Sequence, residues 1–144
     1  MKIEVRQGYP TTEVIINCLQ NDESVQRIVT LLQALDEKLR GMKDGTLHVI
    51  DPHEVLYFDT VDRRYFIYTE SDVFETRLKL YEIERSLPDE LFFRSSKSQI
   101  INIAKIESLR PEFAGRLEVV MKNGERVIVS RQYAKALKER LGLK

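Results

Sequence analysis

Phe92–Leu109, FFRSSKSQIINIAKIESL, together with Val127–Tyr133, VIVSRQY, decides how the rest of the chain is read. The first stretch opens on an apolar strand start, Leu91–Arg94, and breaks into a short polar loop carrying Arg94, Ser96, Lys97 and Ser98. It then resumes as an apolar run, Gln99–Leu109, with Asn102 embedded in it. The second stretch is an apolar strand that breaks at Ser130-Arg131-Gln132 and continues as a short helical pattern through Ala134, Leu137 and Leu141. Short apolar strands punctuated by polar turns are the pattern of a small antiparallel β domain. Basic and hydroxyl side chains held on rigid loops between them are suited to phosphate oxygens and base edges.

Upstream of this, Leu47–Ile50 and Val55–Asp59 read as strands separated by Pro52. Thr60–Arg64 turns the chain, and Tyr65–Thr69 returns it as the second arm of a hairpin with a charged tip. Val73–Arg77 reads as an edge strand. Leu78–Leu87 places Leu80, Ile83 and Leu87 on one helical face before Pro88 stops it. Leu117–Met121 and Val127–Val129 flank Asn123-Gly124, a two-residue hairpin signal because both residues accept positive φ. The first 45 residues read as β-β-α. Met1–Arg6 alternates, Thr12–Leu19 is β-branched and apolar, and Asn21-Asp22-Glu23-Ser24 starts a helix. Its stripe runs through Val25, Ile28, Val29, Leu32, Leu35 and Leu39 and ends at Gly41. Three such elements cannot enclose a core alone, so they must pack on the remainder or on a second subunit. The expected architecture is mostly β, α+β overall. An N-terminal segment, 1–45, serves dimerisation or partner binding, and a β domain spans 46–144.

The ordered matches over 47–144 resemble the LytTR DNA-binding domain, the output module of LytR/AlgR-type bacterial regulators. They are the opening at Val49–Phe58, the charged hairpin, Phe74–Pro88, the Phe-Phe-Arg loop, Asn102–Ile106, the Asn-Gly hairpin and the closing Ser-Arg-x-Tyr. The resemblance implies small stacked antiparallel sheets and binding to duplex DNA through loops. It also implies direct-repeat half-sites, with one domain per repeat in successive major grooves. Two departures stand inside the loop: Ser96 replaces the family's histidine and Gln99 its aromatic residue. They imply a different base preference. A receiver domain needs about 120 residues, so the segment before residue 47 is too short for one, and a stand-alone regulator is expected.

Charge is distributed in keeping with this. Lysine and arginine balance aspartate and glutamate at 23 each, yet residues 91–144 hold 12 basic against 5 acidic groups, and residues 47–90 hold 5 against 11. Nucleic-acid binding requires a basic face rather than a basic protein. Cys18 is the single cysteine; it lies in the apolar run Val14–Leu19, so a buried, inert thiol is expected in a reducing, cytoplasmic setting. The N-terminus has no apolar core of a signal peptide, and no run is long enough to span a bilayer.

Seven residues are the candidate DNA contacts: Arg63, Arg94, Ser96, Lys97, Ser98, Arg131 and Gln132. Arginine and lysine neutralise phosphates or fork onto guanine, hydroxyls bind phosphate oxygens, and glutamine can pair with adenine N6/N7. Of the adjacent pair Arg63 and Arg64, one is expected to face DNA and the other to pair with Asp59 or Asp62. Arg94 has the alternative of pairing with a nearby acid. Ser130 fits a helix N-cap, Tyr133 the core, and Asn102 a structural amide holding the Ser-rich turn. His48 and His53 flank Pro52 without partners at metal-ligand spacing, and no Gly-rich phosphate loop or nucleophile–base set is present. No enzyme, cofactor or metal is therefore expected; a small β-rich enzyme is the remote alternative. The leading expectation is a sequence-specific, double-stranded DNA-binding transcriptional regulator working as a homodimer. Its rival is a non-enzymatic interaction module of the same fold, acting through a protein partner such as a membrane sensor.

Overall fold

The computed structural model describes residues 1–34 and 37–143. A helix, α1 (Glu23–Ala34), precedes five strands: β1 (Leu39–Lys43), β2 (Thr46–Ile50), β3 (Val55–Val61), β4 (Arg64–Thr69) and β5 (Val73–Thr76). Helix α2 (Leu80–Ser86) leads to β6 (Phe92–Arg94), β7 (Gln99–Asn102), β8 (Ile106–Pro111), β9 (Leu117–Met121) and β10 (Arg126–Val129), and α3 (Arg131–Arg140) closes the fold. The strands form a seven-stranded sheet in the order β2-β1-β5-β4-β3-β7-β6 and a three-stranded sheet in the order β10-β9-β8, antiparallel throughout.

Adjacent apolar pairs in the central strands explain the layering. Successive strand residues point to opposite faces, so Tyr57/Phe58, Phe92/Phe93 and Ile100/Ile101 each send one side chain either way. Phe58, Phe92 and Ile100 meet Ile67, Phe74 and the Leu80, Ile83 and Leu87 side chains on or beside α2. Tyr57, Phe93 and Ile101 meet Leu117, Val119, Met121, Val127 and Val129 of the smaller sheet, with Ala134 and Leu137 of α3. The large sheet is thus covered by a helix on one face and by the small sheet and α3 on the other. The register Tyr57↔Ile101↔Phe93 fixes which residues share a face. Tyr57 also stacks on Tyr68 (4.4 Å between ring centroids) and donates its hydroxyl to Glu125 in the turn between β9 and β10, which ties the sheets together. Burial, then Glu125, pushes the Tyr57 phenol far above its usual range.

Antiparallel sheets with short helices are what the sequence pattern implies, and the hairpin of β3 and β4 and the strands β9 and β10 lie where that pattern puts them. Several local expectations are corrected. Residues 1–22 form no strand: apart from half-buried Ile16 they are exposed, because an alternating pattern makes a strand only where a neighbouring strand takes its backbone hydrogen bonds. Cys18 is accordingly exposed, not buried. Asp22 does cap α1, accepting from the Val25 amide at 3.1 Å, which holds its carboxyl below the usual range. The described helix spans Glu23–Ala34, however, and Leu39 is a strand residue, 4% exposed and facing Ile50. Leu35 of the expected stripe lies outside the described residues.

Strand β5 is internal, between β4 and β1, since β1 supplies a neighbour that the helical reading of Leu39 had removed. Lys122, Asn123 and Gly124 make a three-residue hairpin loop between Met121 and Glu125, with Gly124 N–H donating to Met121 O (2.8 Å) and Met121 N–H donating to Glu125 O (2.8 Å). Only Gly124, at φ 89°, takes the positive φ. Asn123 instead accepts the Glu125 amide through its side chain at 3.0 Å.

Candidate nucleic-acid interface

Three segments far apart in sequence meet at one end of the two sheets. Strand β3 ends at the hairpin tip, β6 and β7 are joined there by residues 95–98, and β10 passes into α3 there. Two backbone hydrogen bonds join them: Thr60 N–H donates to Ser98 O (2.9 Å), and Ser130 N–H donates to Ser95 O (3.1 Å). The tip residues Asp62 and Arg63 both have positive φ, 51° and 63°, as a two-residue type I′ hairpin turn requires. That conformation holds Arg63 out at the apex, exposed. Arg64 is the paired member of the two arginines, but its acid is Glu75 across the sheet, not Asp59 or Asp62. The fork is bidentate, Nε to Oε1 at 2.8 Å and the other nitrogen to Oε2 at 2.6 Å, because β4 and β5 set Arg64 beside that strand. The guanidinium holds the Glu75 carboxyl below the usual range.

Arg94 is occupied in the same way. Its guanidinium pairs with Glu84 of α2 and donates to Ser96 O (2.8 Å) and Lys97 O (2.6 Å). It thereby folds the loop around itself. Ser98 N–H donates to the Ser96 hydroxyl (3.2 Å), and the Ser96 and Ser98 hydroxyls lie 3.3 Å apart. What the loop leaves outward is Lys97 and Ser98, both exposed. Arg131 and Gln132 are exposed on the first turn of α3. Ser130 stands at the N-cap position, yet its hydroxyl makes no cap bond; it is the Ser130 backbone that is engaged, on Ser95 and in the first helical turn. Among the described residues, Arg63, Lys97 and Arg131 have no acidic partner.

Four further residues belong to this end and were not read from the sequence. Ser95 is fully buried, and its carbonyl joins the loop to the start of α3. Glu84 lies ten residues before Arg94, on another element, so nothing local signalled the pair. Gly115, at φ 78°, lets the Arg131 stem lie close: a β-carbon there would sit 3.2 Å from Arg131 Cγ. Phe113, beside it in the turn between β8 and β9, is 80% exposed. Conversely, Asn102 is structural but not through the Ser-rich turn. Its amide donates to Val55 O (2.8 Å) and accepts from Ala104 N–H (3.0 Å), at the opposite end of β7. Tyr133 is half-buried against the core.

His53 lies on an exposed turn near Asp51 and Glu54. Asp51 is held there by Lys38. A shallow cleft of about 530 Å³ opens where β3 begins and β4 ends, away from the tips, among His48, Glu54, Asp72, Lys105 and Lys122. No described helix is long and apolar enough to cross a membrane.

Comparison with known proteins bears on the family and the fold. An uncharacterized HTH-type transcriptional regulator of Staphylococcus aureus is 33% identical over 147 residues, 99% of each chain. A second, from strain COL, is 33% identical over 130 residues, 89% of this chain and 88% of that one. In this chain α1, α2 and α3 are separated by strands, so no two of them make a helix-turn-helix. The solved structure of a LytTr DNA-binding domain from Bacillus cereus superposes with a TM-score of 0.71 at 26% identity, over 75% of this chain and 99% of that one. The sequence profile of the LytTr DNA-binding domain matches residues 45–142, and the chain belongs to that family.

Proposed function

We propose that the protein is a transcriptional regulator that binds double-stranded DNA sequence-specifically, setting the joined loop end of its sheets into a major groove. The observation that carries this is the sorting of arginines and lysines at that end. Arg64 and Arg94 are consumed by Glu75 and Glu84, while Arg63, Lys97 and Arg131 stand outward on three segments hydrogen-bonded to one another. A cation held on a rigid loop loses little freedom on binding, so it can read a base edge as well as neutralise a phosphate. Lys97 and Arg131, with Gln132 beside it, are assigned to base edges. Arg63 and Ser98 are assigned to phosphate and sugar, and Ser96, whose hydroxyl takes the Ser98 amide, to a phosphate reached through the loop it holds. Arg94 is assigned a positioning role, contacting its own loop in place of DNA. Each domain occupies one half-site, and two copies act together, which raises affinity by effective concentration.

The test is a gel shift on the upstream regions of the genes that the protein controls and on the half-site fragments within them. Specific binding should weaken steeply between 50 and 200 mM salt, as counterion release from several phosphate contacts requires. Equal affinity for all duplexes, or none for any fragment that co-purifies with the protein, overturns the reading.

A further inference from the structure

Two apolar surfaces are left open in the same molecule. The first is the N-terminal arm: Ile3, Val5, Val14, Ile15 and Leu19 are between 61% and 100% exposed, and residues 12–19 keep the β-branched pattern of a strand without having a neighbour. The second lies on the large sheet. The register Tyr57↔Tyr68↔Val73 and Glu75↔Met42↔Leu47 puts Val73, Met42, Leu47 and Val49 on the face that the small sheet and α3 cover elsewhere. That cover stops short of them, and they are 44–68% exposed. Strand β2 is the outermost strand, so one side of its backbone has no ladder partner. Its sequence, TLHVI, has neither the proline nor the lysine or glutamate with which edge strands usually repel a newcomer.

The unpacked arm enlarges the exposed surface by more than such a contact needs. The chain exposes 10,631 Å², whereas a compact monomer of 16.9 kDa is expected to expose about 7,700 Å². The surplus of about 2,900 Å² exceeds the roughly 800 Å² per partner that a standard stable interface removes. A copy of this chain brings both halves of the contact, and a reciprocal exchange closes the pair with neither arm nor edge left over.

We propose that residues 12–19 of one copy add as a strand to the β2 edge of a second copy, beside Leu47 and Val49, while the second copy's arm does the same in return. Main-chain hydrogen bonds supply affinity, as in other strand additions, and Ile15 and Leu19, which share one face of such a strand, extend the apolar face of Leu47 and Val49. This deepens the reading of a paired regulator, and its test reads association without DNA, so that either can fail alone.

Cys18, the single thiol and an exposed one, provides the probe. Cysteine is introduced singly at Thr46, Leu47, His48 and Val49, and the full-length proteins are oxidised at micromolar concentration. The expected product, at one or more positions, is a covalent dimer with a disulfide between Cys18 and the introduced thiol, mapped by peptide mass. A disulfide within one chain means that the arm folds onto its own domain, and it overturns the proposal, as does no mixed disulfide at any position. In parallel, the unmodified chain should sediment as a dimer, and both Leu47→Lys/Val49→Lys and Val14→Lys/Ile15→Lys as monomers with cooperative melts. A monomeric parent, or a dimer that survives the β2 changes, overturns it equally. The monomeric variants should still shift a single half-site fragment.

Discussion

At the residue scale, charge pairing separates the side chains that build the interface from those free to use it. Lys97 and Arg131 touch nothing acidic among the described residues, so replacing either by alanine should weaken specific DNA binding by roughly 1–3 kcal/mol with the melting temperature unchanged. Arg94→Ala should lower both. It strips the loop of two carbonyl bonds and an ion pair, and a fall in melting temperature together with affinity, not rescued by Arg94→Lys, is the expected signature. Glu118 makes a separate prediction about pH. It lies buried beneath Arg110 and Arg126, each 2.6 Å from one of its oxygens, and first Arg110 and then Arg126 hold its carboxyl below the ordinary value of 4.5. A carboxyl lowered in the folded state stabilises fully above its unfolded pKa and loses that contribution as pH falls through the folded value. Thermal melts should therefore be flat in this respect above pH 4.5 and decline below it, more steeply than in Glu118→Gln.

At the scale of elements, hairpins were legible and edges were not. The β3–β4 turn is written locally, in a charged tip between two alternating runs, and so is the β9–β10 turn, in Asn123-Gly124. That loop is one residue longer than Asn-Gly alone implies, because the Gly124 bulge is set by pairing across strands. Leu39 shows the opposite case. Its spacing from Val25 fits a helix, yet a strand forms because β2 and β5 lie ready to pair with it, and tertiary pairing overrides a helical period. Gly41 is the reason that strand can pass: a β-carbon there would fall 2.5 Å from Phe74 Cβ. Gly41→Ala should destabilise the domain by roughly 1–3 kcal/mol, through overpacking, as a lower denaturant midpoint at unchanged slope.

At the scale of the whole molecule, the arrangement of copies decides the arrangement of sites on DNA. A reciprocal exchange of arms relates the two loop ends by a two-fold axis, so synthetic duplexes with inverted half-sites should bind more tightly than those with direct repeats, contrary to what family resemblance implies. Measured affinities for the two repeat orientations at several spacings check this, and a preference for direct repeats would point to copies joined head to tail. The family, the layers of short strands and the three candidate contact segments were all present in the sequence, because each rests on local periodicity, turn chemistry and ordered motifs. So was Arg63 as the outward member of its pair; which acids hold Arg64 and Arg94 was not, since Glu75 and Glu84 reach them only after the sheet and α2 have brought distant residues together. The arm departs from its sequence pattern for a related reason. Its residues carry the pattern of strands, but a strand exists only where another backbone accepts its hydrogen bonds, and in this structure no strand pairs with residues 1–22.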